Sequence, residues 1–191
     1  MGLSLDLNKR YTYADYLTWW DDKRRELVNG FIRMMSPAPK VRHQEVSVNL
    51  SGELRQIIKR NNGKCKIFSA PFDVRLPRNG EKEDHLIDTV VQPDICIICD
   101  LSKLDERGCL GAPDMVAEIQ SFSTAKYDTT QKFELYETAG VREYWIVYPS
   151  EGVEVFLLQP DGKYDRGTRY EAGRVPVYVL NGVEIDLKDI F

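Results

Sequence analysis

The amino-acid sequence predicts a mixed α/β domain in which one mixed β-sheet is covered by two main helices. Three observations support this class: one long segment has helical spacing of its apolar residues, several shorter segments are rich in apolar residues, and a second helical segment stops at Gly140. The chain has 191 residues, of which 42% are hydrophobic and 29% charged. This length and composition fit a single domain over residues 1–191 and exclude a disordered chain.

The first elements are expected to be a short helix and a β-hairpin. Thr12 is a suitable N-cap for a helix over 13–20. The Asn29–Gly30 pair predicts a tight turn between strands over 26–29 and 31–35. These elements precede the segment with the strongest periodicity.

That segment, residues 43–60, predicts a long helix. Its apolar residues follow one another at steps of four, four, three and one, which places them on one buried stripe: Val46, Leu50, Leu54, Ile57 and Ile58. The sequence Asn-Asn-Gly at 61–63 ends the helix.

Several further segments predict the strands of the sheet. The expected ranges are 66–76 with an interruption near Pro71, 90–99, 113–120 and 143–148, followed by antiparallel strands over 153–158 and 163–179. The 143–148 strand is almost continuously apolar after Glu143, which is typical of the middle of a sheet covered on both faces. The second main helix is expected to begin at a cap on Ser123 or Thr124 and to end near Ala139.

The charge and the hydropathy pattern restrict the classes of function. The net charge is -4, which excludes a generally basic protein that coats nucleic acid, so any surface that binds nucleic acid must be a local patch. Residues 1–10 lack the apolar stretch of a signal peptide, and no segment approaches the roughly 20 apolar residues of a membrane span. We therefore expect a cytoplasmic protein with no membrane partner.

The four cysteines are Cys65, Cys96, Cys99 and Cys109. Cys96 and Cys99 have the C-x-x-C spacing of zinc and redox sites. They lie in an apolar β-like segment, where residues three apart point to opposite faces, and no second pair completes a zinc site. The sequence therefore favours buried core thiols, as in a reducing compartment.

Two carboxylates interrupt the apolar strands at comparable places. Asp94 follows Pro93 inside the 90–99 segment, and Glu118 lies inside the 113–120 segment. A buried carboxylate is normally paired, hydrogen-bonded or bound to a metal, and two that lie close together resist joint ionisation. A divalent cation between them resolves this repulsion, and oxygen ligands favour magnesium or manganese. Asp94 and Glu118 are thus predicted metal ligands.

Three neighbouring residues fit the same site. Pro93 cannot donate a ladder hydrogen bond, so it predicts a bend that turns Asp94 out of the pleat. Gln120 is two residues past Glu118 and shares its side of the strand, where its amide can hold a water molecule. Lys132, on the following helix, can reach back over the carboxylates to orient an attacking water or to stabilise developing charge.

An ordered set of motifs over nearly the whole chain carries a family resemblance. The motifs are Glu26–Gly30, His43–Gln44, Gln92–Asp94, Gly111–Glu118, Ser121 with Asp128 and Lys132, and Gly140–Val147. Together they resemble the PD-(D/E)XK nuclease superfamily, and more narrowly its Uma-type branch of restriction endonuclease-like proteins.

The resemblance implies a restriction-endonuclease-like αβββαβ core with extra antiparallel strands at the C-terminus. It also implies Mg²⁺ (or Mn²⁺) as cofactor and hydrolysis of phosphodiester bonds in nucleic acid, with DNA as the expected substrate. By position, Asp94 and Glu118 would be the metal ligands, and Glu26 would add a further acid. Gln120 stands where many superfamily members have a lysine, and Lys132 is the natural substitute.

Simpler structural roles remain open for each candidate. Asp94 can be a turn residue, and Glu118 can form a structural ion pair with Lys132. Asp128 and Lys132 can be an i,i+4 pair on an exposed helix face. Glu26 can form a salt bridge with the basic residues at 23–25.

His43 and the assembly state are equally open. His43 follows a basic stretch, so it can contact phosphate or act as an acid or base, or it can be a capping or surface residue. The alternative to an enzyme is a non-catalytic module on the same fold that binds nucleic acid or a protein. A homodimer is expected only by analogy with nucleases that cut both strands.

Overall fold

The computed structural model describes residues 5–21, 23–35, 40–61, 63–120 and 128–191. The helices are α1 (Tyr13–Tyr16), α2 (Val41–Arg60) and α3 (Phe133–Ala139), and a π-helical turn (Asp128–Lys132) leads into α3. None of the helices in these ranges combines the length and the apolar character that crossing a bilayer requires.

The larger part of the core surrounds a six-stranded mixed sheet. In spatial order its strands are β12 (Thr168–Tyr170), β11 (Gly152–Leu157), β10 (Glu143–Tyr148), β9 (Met115–Ile119), β6 (Ile95–Ile98) and β3 (Lys66–Ser69). Strands β9 and β10 are parallel, and the other neighbours are antiparallel. In chain order α2, β3, β6, β9, α3 and β10 form the predicted αβββαβ core, with antiparallel strands added after it.

A second six-stranded sheet and a separate hairpin complete the fold. The second sheet has the order β2 (Phe31–Met34), β1 (Arg25–Val28), β5 (Val90–Val91), β4 (Val74–Arg75), β8 (Gly108–Leu110) and β7 (Leu104–Asp105). The separate hairpin is β13 (Arg174–Val177) with β14 (Val183–Asp186). The expectation of one sheet was therefore wrong, although the mixed α/β class is confirmed.

Alternation along the central strands decides which helix each residue meets. Ile95, Ala117 and Trp145 pack in one apolar cluster with the buried stripe of α2. Cys96 and Val116 pack in the other cluster with Tyr136 of α3. Because side chains alternate along a strand, Glu118 shares the α3 side with Val116.

The chain passes from one sheet to the other at the predicted interruptions. The 90–99 segment forms two strands, β5 and β6, which belong to different sheets and are separated at Pro93–Asp94. The 66–76 segment divides in the same way into β3 and β4 around Pro71. A proline cannot donate to a strand ladder, so it is a natural place for the chain to leave one sheet for another.

Other boundaries differ from the expectations in smaller ways. The Asn29–Gly30 hairpin is confirmed, and both turn residues have positive φ angles, 53° and 85°. Helix α1 covers only Tyr13–Tyr16, with Thr12 as its N-cap, and helix α3 ends at Gly140 in a left-handed conformation. The predicted caps Ser123 and Thr124, and Ser121, lie outside the described residues.

The cysteines correct one expectation. Cys65 and Cys99 form a disulfide between the ends of β3 and β6, whereas Cys96 and Cys109 are buried thiols. The register pairs Lys66 with Ile98, so the two bridged cysteines are the next opposite pair. The C-x-x-C spacing relates Cys99 only to Cys96, whereas the partner of Cys99 lies on the neighbouring strand, 34 residues away in sequence.

Reduction of this disulfide is expected to lower the free energy of unfolding. The bridge spans 34 residues of sequence, and closing a loop of that length is worth about 3 to 4 kcal/mol through the entropy of the unfolded chain. Chemical denaturation with and without dithiothreitol measures this difference. A Cys65→Ser, Cys99→Ser variant should be as stable as the reduced protein and insensitive to the reductant; unchanged stability on reduction of the parent would contradict the bridge.

Candidate active site

The predicted site residues lie where both sheets and two helices approach one another. Asp94 is at the break between β5 and β6, and Glu118 lies near the end of β9. Lys132 ends the turn before α3, and His43 is in the first turn of α2. Continuing the β6–β9 register from the Ile95–Ala117 pair puts Asp94 opposite Glu118.

Asp94 contacts both the end of β9 and the first turn of α2. Its Oδ2 accepts a hydrogen bond from the backbone N–H of Ile119 at 2.8 Å and lies 3.2 Å from Nε2 of His43. The Asp94 side chain is 24% exposed and that of His43 12%. Asp94 lies in the break between β5 and β6 directly after Pro93, and a bend caused by this proline stays a prediction.

Glu118 belongs to a buried cluster on the α3 side of the sheet. Its Oε1 accepts hydrogen bonds from Nζ of Lys132 at 2.8 Å and from the hydroxyl of Tyr136 at 2.7 Å. The same ammonium lies 3.1 Å from Oε1 of Glu26, on β1 of the second sheet. The Glu26, Glu118 and Lys132 side chains are each 4–6% exposed. Lys132 therefore joins the two sheets through a buried carboxylate pair.

Glu26 is fixed in place by a further polar network. Its Oε1 accepts a hydrogen bond from the backbone N–H of Gln92 at 3.0 Å. The Gln92 side chain donates to Asp73 at 2.8 Å and accepts from Arg24 at 2.8 Å. Burial raises the pKa of Asp73. Among the basic residues at 23–25, Arg25 pairs with Asp21, and Glu26 contacts Gln92 and Lys132.

Tyr136 is a site residue that the sequence argument missed. It lies one helical turn after Lys132, so the two side chains share a face, and this spacing was the available signal. Burial, and then the charges of Glu118 and Glu26, raise the pKa of Tyr136 well above its ordinary value. The hydroxyl therefore stays protonated and donates to Glu118 as a positioning group.

Replacing Tyr136 by Phe is expected to lower the free energy of unfolding by about 1.5 to 3 kcal/mol, because a hydrogen bond to a charged group is lost while the ring is kept. Tyr164→Phe is the matched control, since its buried hydroxyl donates at 2.9 Å to the neutral carbonyl of Val141. Urea denaturation of both variants measures the difference. Equal losses in the two variants would contradict the charged partner at Tyr136.

The remaining candidates are only partly described. Gln120 is half-buried, and its backbone N–H donates to Val147 at 2.8 Å, so a role for its amide stays a prediction. His43 is not the helix cap, because Lys40 holds that position. The Asp128 side chain lies outside the described part of the structure.

Few side chains that could bind a metal ion lie close together within the described ranges. Among those residues, no group of three or more His, Cys, Asp and Glu side chains is arranged to hold a metal ion. Asp94 and Glu118 are brought to one region, but Asp94 makes its contacts towards α2 and Glu118 towards α3. The structural ion pair between Glu118 and Lys132 is present.

The chain has the αβββαβ core of the restriction-endonuclease-like class of proteins. One acid directly precedes β6, a second lies near the end of β9, and a lysine comes from the turn before the following helix. A family model described as "Uma2: Putative restriction endonuclease" matches residues 13–188. The chain therefore belongs to the Uma2 family.

Two individual proteins are similar to the chain. A crystal structure of a putative nuclease belonging to DUF820 from Anabaena variabilis ATCC 29413 has a TM-score of 0.73 and 20% identity, covering 95% of this chain and 97% of that one. An uncharacterized protein of Synechocystis sp., slr1290, is 26% identical over 153 residues, which are 79% of this chain and 75% of the relative. The solved structure supports the fold, and the family supports a nuclease.

Proposed function

We propose that this protein is a metal-dependent nuclease that hydrolyses phosphodiester bonds of nucleic acid, with DNA as the first substrate to test. One observation carries the proposal: a buried ammonium, that of Lys132, is held 2.8 Å from Glu118, one residue from the N–H that binds Asp94. Such a hydrolysis needs acids that hold a cation and a positive group that stabilises phosphate charge. Two acids and one amine lie together at the end of β9.

The donors present suit a hard divalent cation. Mg²⁺ commonly uses one or two protein carboxylates and keeps several of its own waters, so a cluster of three acids is not required. Ile119 and His43 both contact Oδ2 of Asp94, so the orientation of this carboxylate is fixed. Asp94 and Glu118 would hold the ion, which when bound supplies Lewis-acid activation of water and neutralises phosphate charge.

Lys132 and Gln120 have the roles closest to the reacting atoms. The ammonium of Lys132 would stabilise the negative charge that develops on the phosphoryl oxygens. Its contacts with Glu118 and Glu26 fix its position before substrate arrives, so little reorganisation is needed. The Gln120 amide would hold the attacking water by hydrogen bonds, since it carries no charge.

His43 and Glu26 would act mainly by positioning. The imidazole lies against Oδ2 of Asp94, so it restricts the orientation of that carboxylate. Glu26 holds the second side of Lys132 and is itself held by the Gln92 backbone. Losing His43 would leave Asp94 less well oriented, and losing Glu26 would leave Lys132 less well oriented. Neither change removes a proposed metal ligand.

The proposal is tested by incubating the purified chain with supercoiled plasmid and with single-stranded oligonucleotides, in Mg²⁺, in Mn²⁺ and in EDTA. We expect cleavage that requires the cation. Calorimetric titration of the same protein with Mn²⁺ should show binding. Sedimentation in the same buffers tests whether the active form is a homodimer. No cleavage of any substrate together with no binding at millimolar Mn²⁺ would exclude a metal-dependent nuclease.

A second candidate is a non-catalytic module that binds nucleic acid or a protein. Its support is that Lys132 already lies between Glu118 and Glu26, where its ammonium balances carboxylate charge that would otherwise attract a metal. This candidate predicts binding without cleavage, and no effect of Mn²⁺ on the thermal midpoint.

A further inference from the structure

A cleft lies along the hairpin of β1 and β2, beside the turn that carries Lys132. Its volume is about 620 Å³, and its walls come from the hairpin, from the segment after β4 and from α3 with the turn before it. Glu26 and Arg33 are directly opposed in the hairpin, so their side chains lie on the same face. Glu26 contacts Lys132, and Arg33 donates to Gln131 at 2.6 Å, so the cleft begins beside the buried cluster.

Arginines flank this cleft on its hairpin side. Arg33 is exposed at the end nearest Lys132, and Arg78 lies at the other end, where its side chain is 55% exposed. Arg78 and Arg10 contact the same carboxylate, Asp88, at 3.0 and 3.7 Å. Two guanidinium groups on one carboxylate leave a net positive charge near the hairpin turn. In a chain with net charge -4, this is the kind of local basic patch that contact with phosphate requires.

An aromatic ring lies between the two arginines of the cleft. Phe31 remains 41% exposed although the guanidinium of Arg10 lies over its ring at 5.7 Å from the centroid. Exposed aromatic rings between positive charges are the usual platform for unpaired bases, because every base has a flat π-face. The opposite wall carries Glu134 and Thr138, which can meet the polar edges of a base.

The size of the cleft favours a single strand over a duplex. A volume of about 620 Å³ is in the range of pockets that enclose one small ligand. The paired and stacked bases of a duplex would offer Phe31 no free face to stack on, whereas unpaired bases do. Combining the volume, the arginines and Phe31, we propose that this cleft binds a short single-stranded segment of the nucleic acid and directs it towards Lys132.

This inference rests on the proposed function for the direction of the strand, but binding itself can be measured without cleavage. Fluorescence anisotropy in EDTA, with single-stranded probes of roughly 12 nucleotides in DNA (oligothymidylate) and RNA (oligouridylate) form, measures the affinity of the full chain. A blunt DNA hairpin is the duplex probe. We expect tighter binding of the single strands than of the duplex, and the DNA and RNA probes show which sugar is preferred.

The variants separate stacking from charge. Phe31→Ala is expected to weaken single-strand binding about tenfold or more. The double change Arg33→Gln, Arg78→Gln is expected to weaken it similarly and to reduce the slope of log affinity against log salt by about one or more. The matched controls are Tyr178→Ala and Arg174→Gln, which remove an exposed ring and an exposed arginine on the separate C-terminal hairpin region.

The outcomes distinguish this proposal from the proposed function. Three results would overturn the single-strand cleft, whether or not the protein cleaves. They are wild-type affinity in both cleft variants, equal losses of affinity in the control variants, and a preference for the duplex probe. Weakened binding in the cleft variants without any metal-dependent cleavage would uphold the cleft and refute the nuclease.

Discussion

Asp94→Asn is expected to reduce metal-dependent cleavage by about a thousandfold or more. The change removes the charge of a proposed metal ligand but keeps an amide oxygen that can accept the Ile119 N–H bond, so the end of β9 should stay in place. Loss of one ligand of a catalytic cation costs several kcal/mol of transition-state stabilisation, and each 1.36 kcal/mol is tenfold in rate. Single-turnover cleavage in saturating Mn²⁺ measures the effect.

Two comparisons show whether this loss comes from the metal site. Calorimetric titration should show that Mn²⁺ binding disappears in Asp94→Asn and in Glu118→Gln. Glu184→Gln, a change of a half-exposed acid on β14, should leave both cleavage and binding intact. Cleavage that persists in the Asp94→Asn, Glu118→Gln double variant would refute these carboxylates as the metal ligands.

Lys132→Met is expected to produce the largest loss of stability among the site variants. The ammonium is buried between Glu26 and Glu118 at 3.1 and 2.8 Å. Removing it takes the shared cation away from two buried carboxylates, which costs about 3 to 5 kcal/mol. Denaturation at neutral pH measures the loss. Cleavage should fall at least about a hundredfold as well, because the charge next to the reacting phosphate is lost.

A second change separates charge from packing in this variant. Adding Glu26→Gln to Lys132→Met removes one of the two buried carboxylate charges and should recover part of the lost stability. The same Glu26→Gln change in the parent protein should destabilise it, because it takes a charged partner from Lys132. Independent and additive effects of the two changes would contradict the buried pair, since residues in direct contact couple.

The elements themselves were largely predictable because they depend on local pattern. The apolar stripe of α2 and the Asn29–Gly30 turn are decided by side-chain spacing and by the backbone that those residues tolerate. The number of sheets was not predictable. An apolar segment such as 90–99 has the same pattern whether it stays in one sheet or crosses to another at Pro93, and only the packing of β5 and β6 against different neighbours settles the choice.

The site, like the fold, was predictable from the sequence only in part. The sequence by itself determined which groups are available: acids inside apolar strands, a proline directly before Asp94, and a lysine on the next helix. Only the tertiary structure decided their partners, bringing Glu26 of the second sheet and Tyr136 of α3 to Lys132 and Glu118. It likewise paired Cys65 with Cys99 and His43 with Asp94. The physical reason is that burial energy and strand alternation act locally, whereas a contact between distant residues depends on how whole layers pack together.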